Sequence, residues 1–485
     1  MHPEIEAILP LSPLQQGLLF HQLLDEGGPD AYLVQTVFQL TGPLDDARLR
    51  HAAGALLQRH PQLRSSFVQA GFKEPVQIIP KRTEPSWQQI ELPGEHPDAS
   101  WDAILHEDRI RGFRADKGPL LRWTLARVGD EHHRLLVTHH HLLLDGWSIP
   151  IVLHELFALY RGDALAAPTP YQNYFTWLKR QNRESAKAAW REHLSGIDAP
   201  TMLAPSISTR LACAPRTLDV HLGRDRADAL RQRARTLGVT LNTLFQTAWA
   251  IWLGRHTGRS DVIFGITVSG RSPEISGVEQ MVGLFINTLP LRVQLDAAQS
   301  LGELAVHIQD EQVALLDHQH LGLADIQQAA GIDALFDTHF VFENLPGETS
   351  HTLGDPAQSL HCNDLGGQGG DVTHYPLGLM ALPNENIELR FGYRPDVFGE
   401  SDVQQFARRF VRILDAIAHT PHQSTRSVAL LDESELAHWL AQAQPQPQAW
   451  PAAYLPDLFA EQAARTPDAL AIVAGDDSLT YAALA

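Results

Sequence analysis

The chain has 485 residues, of which 44% are hydrophobic and 20% charged, so it can bury the cores of two or more domains. Its 38 Lys and Arg against 57 Asp and Glu give a formal net charge of −19, which argues against partners such as nucleic acid or an anionic membrane surface. No apolar run approaches the roughly 18 residues of a membrane span, and two cysteines, Cys213 and Cys362, are too few for a disulfide framework, so we expect a cytoplasmic protein.

Residues 1–175 predict a mixed α/β lobe. Ser12, Pro13 and Gln15 are typical of a helix N-terminus, with an N-cap, a proline at the first helical position and a capping-box glutamine. The other elements that we predict in this lobe are a strand at 33–40, a helix at 44–60, strands at 121–128 and 133–141, and a helix at 148–160.

Residues 176–430 predict a second lobe with the same mixture of elements. Ser300 and Glu303 form a capping-box pattern that begins a helix ending near residue 318. Further predictions are helices at 240–255 and 402–419 and strands at 261–268, 283–293, 336–342 and 387–391. The glycine-rich stretch 364–371 has no basic residue and no helix start that would suit a phosphate, so we expect a loop there.

The composition changes after residue 430. Proline and glutamine are dense at 441–451, and we expect residues 431–452 to form an exposed linker. Residues 453–485 predict a helix and a short strand, which are too few to bury their own apolar side chains. We therefore expect this segment to be the truncated start of a further domain.

The residues best suited to catalysis or metal binding are three histidines at the end of the strand predicted at 133–141. Side chains alternate faces along a strand, so His139 and His141 share one face and His140 points to the other. A tight turn with Asp145 and Gly146 follows. A strand-end imidazole with a carboxylate four residues further on suits a general base with an orienting group.

Three interpretations of these histidines stay open on residue types alone. His141 could be a base or a positioning group, His139 and His141 could bind zinc with Asp145 as a third ligand, or the histidines could be structural. The sequence has no nucleophile elbow, no activated-cysteine context, no phosphate-binding glycine motif and no HExxH. A base that acts on an incoming nucleophile is the chemistry that remains.

The segment HHLLLDGWS at His140–Ser148 resembles the HHxxxDG signature of condensation domains of non-ribosomal peptide synthetases. Further segments resemble other motifs of that family in the expected order: LSPLQQGLLFH at 11–21, RHPQLRSSF at 59–67, YQNYFTWL at 171–178, MVGLFINTLPLRV at 281–293, DHQHLGLADIQ at 317–327 and FDTHFVFENLP at 336–346. The resemblance covers about residues 8–430. Residues 455–485 resemble the start of an adenylation domain but contain none of its nucleotide-binding motifs.

The resemblance implies an α/β fold of two chloramphenicol-acetyltransferase-like lobes in a V-shaped pseudo-dimer with a central tunnel. It also implies amide formation, in which the α-amine of an acceptor aminoacyl thioester attacks a donor peptidyl or aminoacyl thioester. Both substrates would be carried on the 4'-phosphopantetheine arms of upstream and downstream carrier domains, so no cofactor is expected on this chain. The alternative is an epimerization domain or a related HHxxxDG acyltransferase.

The resemblance also assigns roles to individual residues. His141 is expected to be the catalytic histidine and His140 to be structural. The residues themselves predict no bound zinc, because the motif contains no cysteine and no fourth ligand lies nearby in the sequence. Asp145 is expected to form a buried ion pair with Arg292 or, as a second choice, with Arg64.

Other residues are expected to shape the tunnel. Gly146 would leave room for the thioester arm, and the candidate lining residues are Asn287, His374 and Trp147. The segment 268–290 resembles condensation domains that follow an epimerizing module, which favours a D-configured donor.

Overall fold

The structure is a computed structural model, and it describes residues 4–24, 30, 32–92, 97–205, 215–344, 350–353, 360–368, 374–443 and 454–485. The chain divides into two compact units, residues 1–430 and 431–485.

The N-terminal half of the first unit alternates strands and helices. Its strands are β1 (Ile5–Pro10), β2 (Leu33–Thr41), β3 (Ser66–Val68), β4 (Val76–Pro80), β5 (Ser86–Glu91), β6 (Leu121–Gly129) and β7 (His132–His140). Its helices are α1 (Pro13–Leu24), α2 (Asp46–Arg59), α3 (Pro97–Arg111), α4 (Ser148–Arg161) and α5 (Gln172–Arg180). Helix α5 spans the lobe boundary that we predicted at residue 175. The predicted start of α1 is confirmed, since the Ser12 N–H donates to Gln15 Oε1 at 2.8 Å.

The C-terminal half contains the remaining elements of this unit. Its helices are α6 (Arg183–His193), α7 (Arg224–Leu237), α8 (Leu241–Thr257), α9 (Leu301–Ala314), α10 (Leu323–Ala330) and α11 (Glu400–His419). Its strands are β8 (Arg216–His221), β9 (Asp261–Val268), β10 (Asn287–Gln294), β11 (Thr338–Phe342), β12 (Ser350–Leu353), β13 (Leu360–Gln368), β14 (Leu377–Leu382) and β15 (Glu388–Tyr393). The capping box at α9 is confirmed, because Ser300 and Glu303 exchange both hydrogen bonds.

Two six-stranded sheets form the frame of the first unit. Their strand orders are β12-β13-β2-β7-β6-β5 and β10-β9-β11-β14-β15-β8, and β1, β4 and β3 form a smaller sheet. Strand β13 comes from the C-terminal half but pairs antiparallel with β2 of the N-terminal half. The two halves on either side of the predicted boundary near residue 175 therefore share one of the six-stranded sheets.

The loop predicted at 364–371 is wrong for residues 364–368, which lie in β13. The pairing of β13 with β2 shifts register between Asp364 and Gly367. Glycine within a strand often marks such a bulge. The glycines that led us to predict a loop are therefore compatible with a bulged strand. Residues 369–371 of the predicted loop lie outside the described residues.

The core of the C-terminal half is built around α8. Trp249 and Trp252 of this helix are both fully buried, and their rings stack at 4.9 Å between centroids. Helix α8 is buried without a break from residue 243 to residue 254, so it packs between α11, α9 and the sheet rather than lying on the surface. In the N-terminal half, β6 contributes Trp123 to the core and α2 packs on α4.

The second unit consists of α12 (Glu433–Ala443), α13 (Leu455–Arg465), β16 (Leu470–Ala474), β17 (Asp477–Thr480) and α14 (Tyr481–Leu484). Helix α12 occupies part of the segment that we predicted as a linker, and residues 444–452 lie outside the described residues. The predicted helix and strand of residues 453–485 are confirmed as α13 and β16. Within the described parts of the chain, no helix is long and apolar enough to cross a membrane.

Candidate active site

The three consecutive histidines lie at the end of β7, a strand that is flanked by β2 and β6. His139 pairs across the sheet with Val34 and Leu121, and His140 pairs with Leu33. His141 is the first residue beyond the strand, and its backbone N–H donates to the Tyr32 carbonyl at 2.9 Å. The ladder therefore places His141 at the end of the sheet.

Burial separates the three histidines. His139 is 2% exposed and His140 is 0% exposed, whereas His141 is partly exposed. Burial, together with the neighbouring histidines, lowers the pKa of His139 and of His140 to about 3. Both rings are therefore neutral at physiological pH, and this environment fits the structural role expected for His140.

The His140 ring has two defined neighbours. Its Nδ1 accepts a hydrogen bond from the Leu142 N–H at 3.0 Å. Its Nε2 lies 3.5 Å from Oδ2 of Asp30. Asp30 lies outside every motif segment identified in the sequence, so no sequence pattern predicted this contact.

Asp145 is buried in a dense polar network. Its Oδ1 lies 3.0 Å from Nη2 of Arg271 and accepts hydrogen bonds from the N–H and the hydroxyl of Ser148 at 2.9 and 2.7 Å. Its Oδ2 accepts from the Phe285 N–H at 3.1 Å. The exposed fractions of the Asp145 and Arg271 side chains are 0% and 4%. The buried ion pair predicted for Asp145 is therefore present, with a different arginine.

The prediction that Arg292 or Arg64 pairs with Asp145 is wrong. Arg292, in β10, pairs instead with Asp261 of the adjacent strand β9 at 2.8 Å. Arg64 pairs with Glu6 at 2.5 Å. Arg271 is the partner of Asp145 because it lies in the loop between β9 and β10, which passes beside the turn that contains Asp145.

This loop explains why β10 begins later than predicted. We predicted a strand from residue 283, but β10 begins at Asn287. The Asp145 N–H donates to the Gly283 carbonyl at 3.1 Å, and the Gly283 N–H donates to Ser148 Oγ at 3.1 Å. Ser148 Oγ also lies 2.9 Å from the Gly283 carbonyl oxygen. The backbone of Gly283 thus bonds to the turn that follows the histidines rather than to a neighbouring strand.

The same loop requires a glycine at position 270. Gly270 has φ +62°, and a Cβ there would lie 1.8 Å from the Phe285 carbonyl oxygen. No side chain fits at that distance. The close approach brings Phe285 over Arg271, whose Cζ lies 4.1 Å from the Phe285 ring centroid.

Trp147 and Gly146 belong to the same turn and are both partly exposed. Trp147 Nε1 donates to the Glu279 carbonyl at 3.0 Å, and its ring lies 5.7 Å from Cζ of Arg271. The Gly146 carbonyl accepts from the Ile149 N–H at 3.3 Å. Trp147 therefore packs against the loop between β9 and β10, and the proposed roles of both residues beside a tunnel stay predictions.

The other two candidate lining residues differ in their surroundings. Asn287 is 5% exposed, and its Nδ2 donates to the carbonyls of Gln319 and Leu321 at 2.9 and 2.8 Å. These bonds tie β10 to the segment before α10, so Asn287 has a clear local function.

His374 lies near the histidine run. Its Nδ1 lies 2.6 Å from the Tyr32 hydroxyl oxygen, and its ring stacks on His21 at 4.0 Å between centroids. Burial, followed by the nearby His21 and His339, holds the His374 pKa well below its usual value. Tyr32 thus contacts His374 through its hydroxyl and His141 through its backbone carbonyl.

The zinc interpretation gains no geometric support. Among the described residues, no group of three or more His, Cys, Asp or Glu side chains is close enough to hold a metal ion. Asp145, the ligand that we considered third, instead uses both oxygens for Arg271, Ser148 and Phe285. The absence of a bound metal stays a prediction.

Comparison with solved structures agrees with the α/β fold class. The first condensation domain of the calcium-dependent antibiotic synthetase, solved with a substrate analogue, matches with a TM-score of 0.70 at 21% identity and covers 88% of this chain and 100% of that chain. A four-domain nonribosomal peptide synthetase bound to AMP and glycine matches with a TM-score of 0.77 at 18% identity, over 100% of this chain and 38% of that chain. The predicted fold class is confirmed.

Comparison of sequences identifies the family. Chondramide synthase cmdD of Chondromyces crocatus is 33% identical over 543 residues, which cover 97% of this chain and 14% of that protein. Tyrocidine synthase 2 of Brevibacillus parabrevis is 31% identical over 497 residues, with 99% and 14% coverage. The chain thus spans a small part of the curated relatives that it matches. The family model described as Condensation domain matches residues 5–439. The chain therefore belongs to the condensation domain family of non-ribosomal peptide synthetases, whose members catalyse amide bond formation.

Proposed function

We propose that this domain transfers the acyl group of a donor peptidyl or aminoacyl thioester to the α-amine of an acceptor aminoacyl thioester. The amine nitrogen bonds to the donor carbonyl carbon, the C–S bond breaks, and the thiol that leaves takes up the proton that the amine loses. The observation that carries this proposal is the placement of His141. It is the partly exposed member of the three histidines, and its backbone is fixed by Tyr32 at the end of β7.

His141 acts on the acceptor amine in this proposal. A free α-amine has a pKa of about 7.7–8.0, so a large share is protonated at neutral pH and cannot attack. A neutral imidazole at hydrogen-bond distance takes a proton from the amine or directs its lone pair towards the thioester. Asp145 does not share this work, because Arg271, Ser148 and Phe285 already occupy its oxygens.

The substrates would be delivered by carrier domains. We propose that an upstream carrier brings the donor and a downstream carrier brings the acceptor, each on a 4'-phosphopantetheine arm. Residues 453–485 would begin the adjoining adenylation domain. The support is that the chain covers only 14% of each of two large synthetases to which it is similar along nearly its whole length.

The reaction class can be tested with thioester surrogates. The domain would be incubated in D2O with a peptidyl N-acetylcysteamine thioester, with and without an aminoacyl N-acetylcysteamine thioester. We expect mass spectrometry to detect an amide product only when both are present, and no deuterium at the donor α-carbon. Deuterium uptake without an acceptor would instead favour the epimerization alternative, and transfer to an alcohol or a free thiol in place of the amine would favour another acyltransferase.

A further inference from the structure

We infer that Asp30 is a positioning residue for His141. It acts through two neighbours of His141, the backbone of Tyr32 and the ring of His140. This inference rests on the proposed function, in which His141 faces the reaction.

The first connection runs through the backbone. Asp30 Oδ1 accepts a hydrogen bond from the Tyr32 N–H at 3.0 Å. A carboxylate that binds the N–H two residues further on fixes a local turn. That turn directs the Tyr32 carbonyl, which accepts the His141 N–H at 2.9 Å. Asp30 thus sets the position of the group that holds the backbone of His141.

The second connection runs through the His140 ring. Nδ1 of His140 accepts the Leu142 N–H, so in a neutral ring the proton is on Nε2. This protonated nitrogen lies 3.5 Å from Asp30 Oδ2. A negative charge at that position favours the Nε2–H form of the ring. Asp30 therefore favours the tautomer that binds Leu142, the residue directly after His141.

The two connections act on the two peptide groups that flank the α-carbon of His141. One fixes its own N–H, and the other fixes the N–H of the next residue. The backbone at His141 is consequently held at two successive amides, which limits how far its imidazole can move. Catalysis depends on such placement, because a shift of about 1 Å can cost on the order of 100-fold in rate.

The surroundings of Asp30 supply a compensating positive charge. Its side chain is only 14% exposed, and the guanidinium of Arg109 provides an attractive positive charge. Arg109 is itself held by Gln35, whose Oε1 accepts from Nη2 of Arg109 at 3.1 Å. A carboxylate at low exposure is tolerated where donors and a cation compensate for lost water.

Replacement of Asp30 by Asn separates the two connections. Asp30→Asn keeps an oxygen that can bind the Tyr32 N–H, but it removes the negative charge and brings an NH2 group towards Nε2 of His140. We expect kcat for amide formation from thioester surrogates to fall about 10- to 100-fold, with KM for the acceptor changed by less than about threefold. The matched control is Asp116→Asn, which neutralises an exposed carboxylate paired with Arg114 and should leave both constants unchanged.

A spectroscopic measurement distinguishes positioning from general stability. The ring 15N chemical shifts of protein labelled at histidine report the tautomer of each ring, and His140→Gln identifies the His140 signals. We expect the wild-type His140 to be protonated at Nε2 and unprotonated at Nδ1, and Asp30→Asn to shift population to the other tautomer. If Asp30→Asn does not fold, Asp30→Glu decides: it keeps the charge but moves it by one methylene, so kcat should fall while the tautomer is retained.

Parallel measurement of His141→Ala keeps the inference separate from the proposed function. Wild-type kcat and an unchanged His140 tautomer in Asp30→Asn, alongside an inactive His141→Ala, would overturn the positioning role and leave the proposed function standing. If Asp30→Asn is the variant that fails to fold, wild-type kcat in Asp30→Glu would overturn the role in the same way. An active His141→Ala would instead contradict the proposed function.

Discussion

The Asp145 carboxylate and the Arg271 guanidinium form an ion pair at 3.0 Å, although the two residues are 126 positions apart in the chain. The pair joins the turn after the histidines to the loop between β9 and β10. Ser148 completes the junction, since its hydroxyl lies 2.7 Å from Asp145 and 3.0 Å from Arg271. Because the charged groups are almost fully buried, each depends on the other for compensation.

Removal of either partner should therefore destabilise the first unit. Asp145→Ala leaves a buried guanidinium without its carboxylate, and we expect the free energy of unfolding to fall by about 3–5 kcal/mol. Arg271→Ala should have a similar effect, and the double variant should cost less than the sum of the two because the groups are coupled. Urea unfolding followed by circular dichroism measures all three.

The control for this cycle is Arg292→Ala, which breaks the separate pair with Asp261. Its effect should add to that of Asp145→Ala without coupling. A fully stable Asp145→Asn protein that makes no product would contradict the structural role and place Asp145 in the proton path.

Gly270 should be irreplaceable for a steric reason. An alanine Cβ would lie 1.8 Å from the Phe285 carbonyl oxygen, and the loop would have to move away from Arg271 to accept it. Gly238 is the matched control, because it also has a left-handed φ, of +70°, but nothing lies within 4 Å of its added Cβ. We expect Gly238→Ala to cost about 1 kcal/mol and Gly270→Ala to cost several times more. Equal melting temperatures for the two variants would show that the close approach is absent.

The buried histidines should make stability depend on pH. The pKa of His139 and of His140 is about 3 in the folded state, because of burial first and neighbouring histidines second, whereas an unfolded histidine titrates near 6.5. Below pH 6.5 the unfolded state binds protons that the folded state does not, so stability present above pH 6.5 is lost as the pH falls towards 3. Each histidine should cost on the order of 2 kcal/mol between pH 6.5 and 5.

Urea unfolding at several pH values checks this dependence. His140→Gln is expected to be less stable than the wild type near pH 7, since its ring bond to Leu142 is lost, but its stability should vary less steeply as the pH falls. His51→Gln, at an exposed position, should leave the slope unchanged. An unaltered slope in His140→Gln would mean that His140 is not held neutral by the fold.

Local patterns predicted most of the elements that surround the site. The apolar run of β9 has the predicted bounds, Asp261–Val268, because a buried strand is specified by its own residues. The helix after the histidines, α4, also begins at the predicted Ser148. Motif resemblance then placed His141 and Asp145 in a recognisable turn.

The partners of these residues could not be predicted in the same way. Arg271 meets Asp145 only because the loop between β9 and β10 passes beside the turn, and nothing in its sequence neighbourhood distinguishes it from Arg292. Asp30 lies just before β2 and carries no motif, yet strand pairing brings it beside His140. Such contacts depend on the path of the whole chain rather than on spacing along it.

The resemblance of residues 268–290 to domains that follow an epimerizing module predicts a preference for a D-configured donor. We expect single-turnover amide formation with a D-donor thioester to be at least about tenfold faster than with its L-enantiomer, a difference of about 1.4 kcal/mol in the barrier. The same acceptor would be used in both reactions. Equal rates, or a faster L-donor, would contradict the preference.

The central claim is that His141 faces the reaction, and single-turnover kinetics of His141→Ala test it most directly. Because the imidazole is partly exposed and lies beyond the end of β7, its removal should leave the melting temperature close to that of the wild type. The rate of amide formation, measured by mass spectrometry of the product, should fall by about 100- to 10,000-fold. His51→Ala, which removes an exposed histidine from α2, should react at the wild-type rate. A folded His141→Ala protein that forms the amide as fast as the wild type would contradict the account.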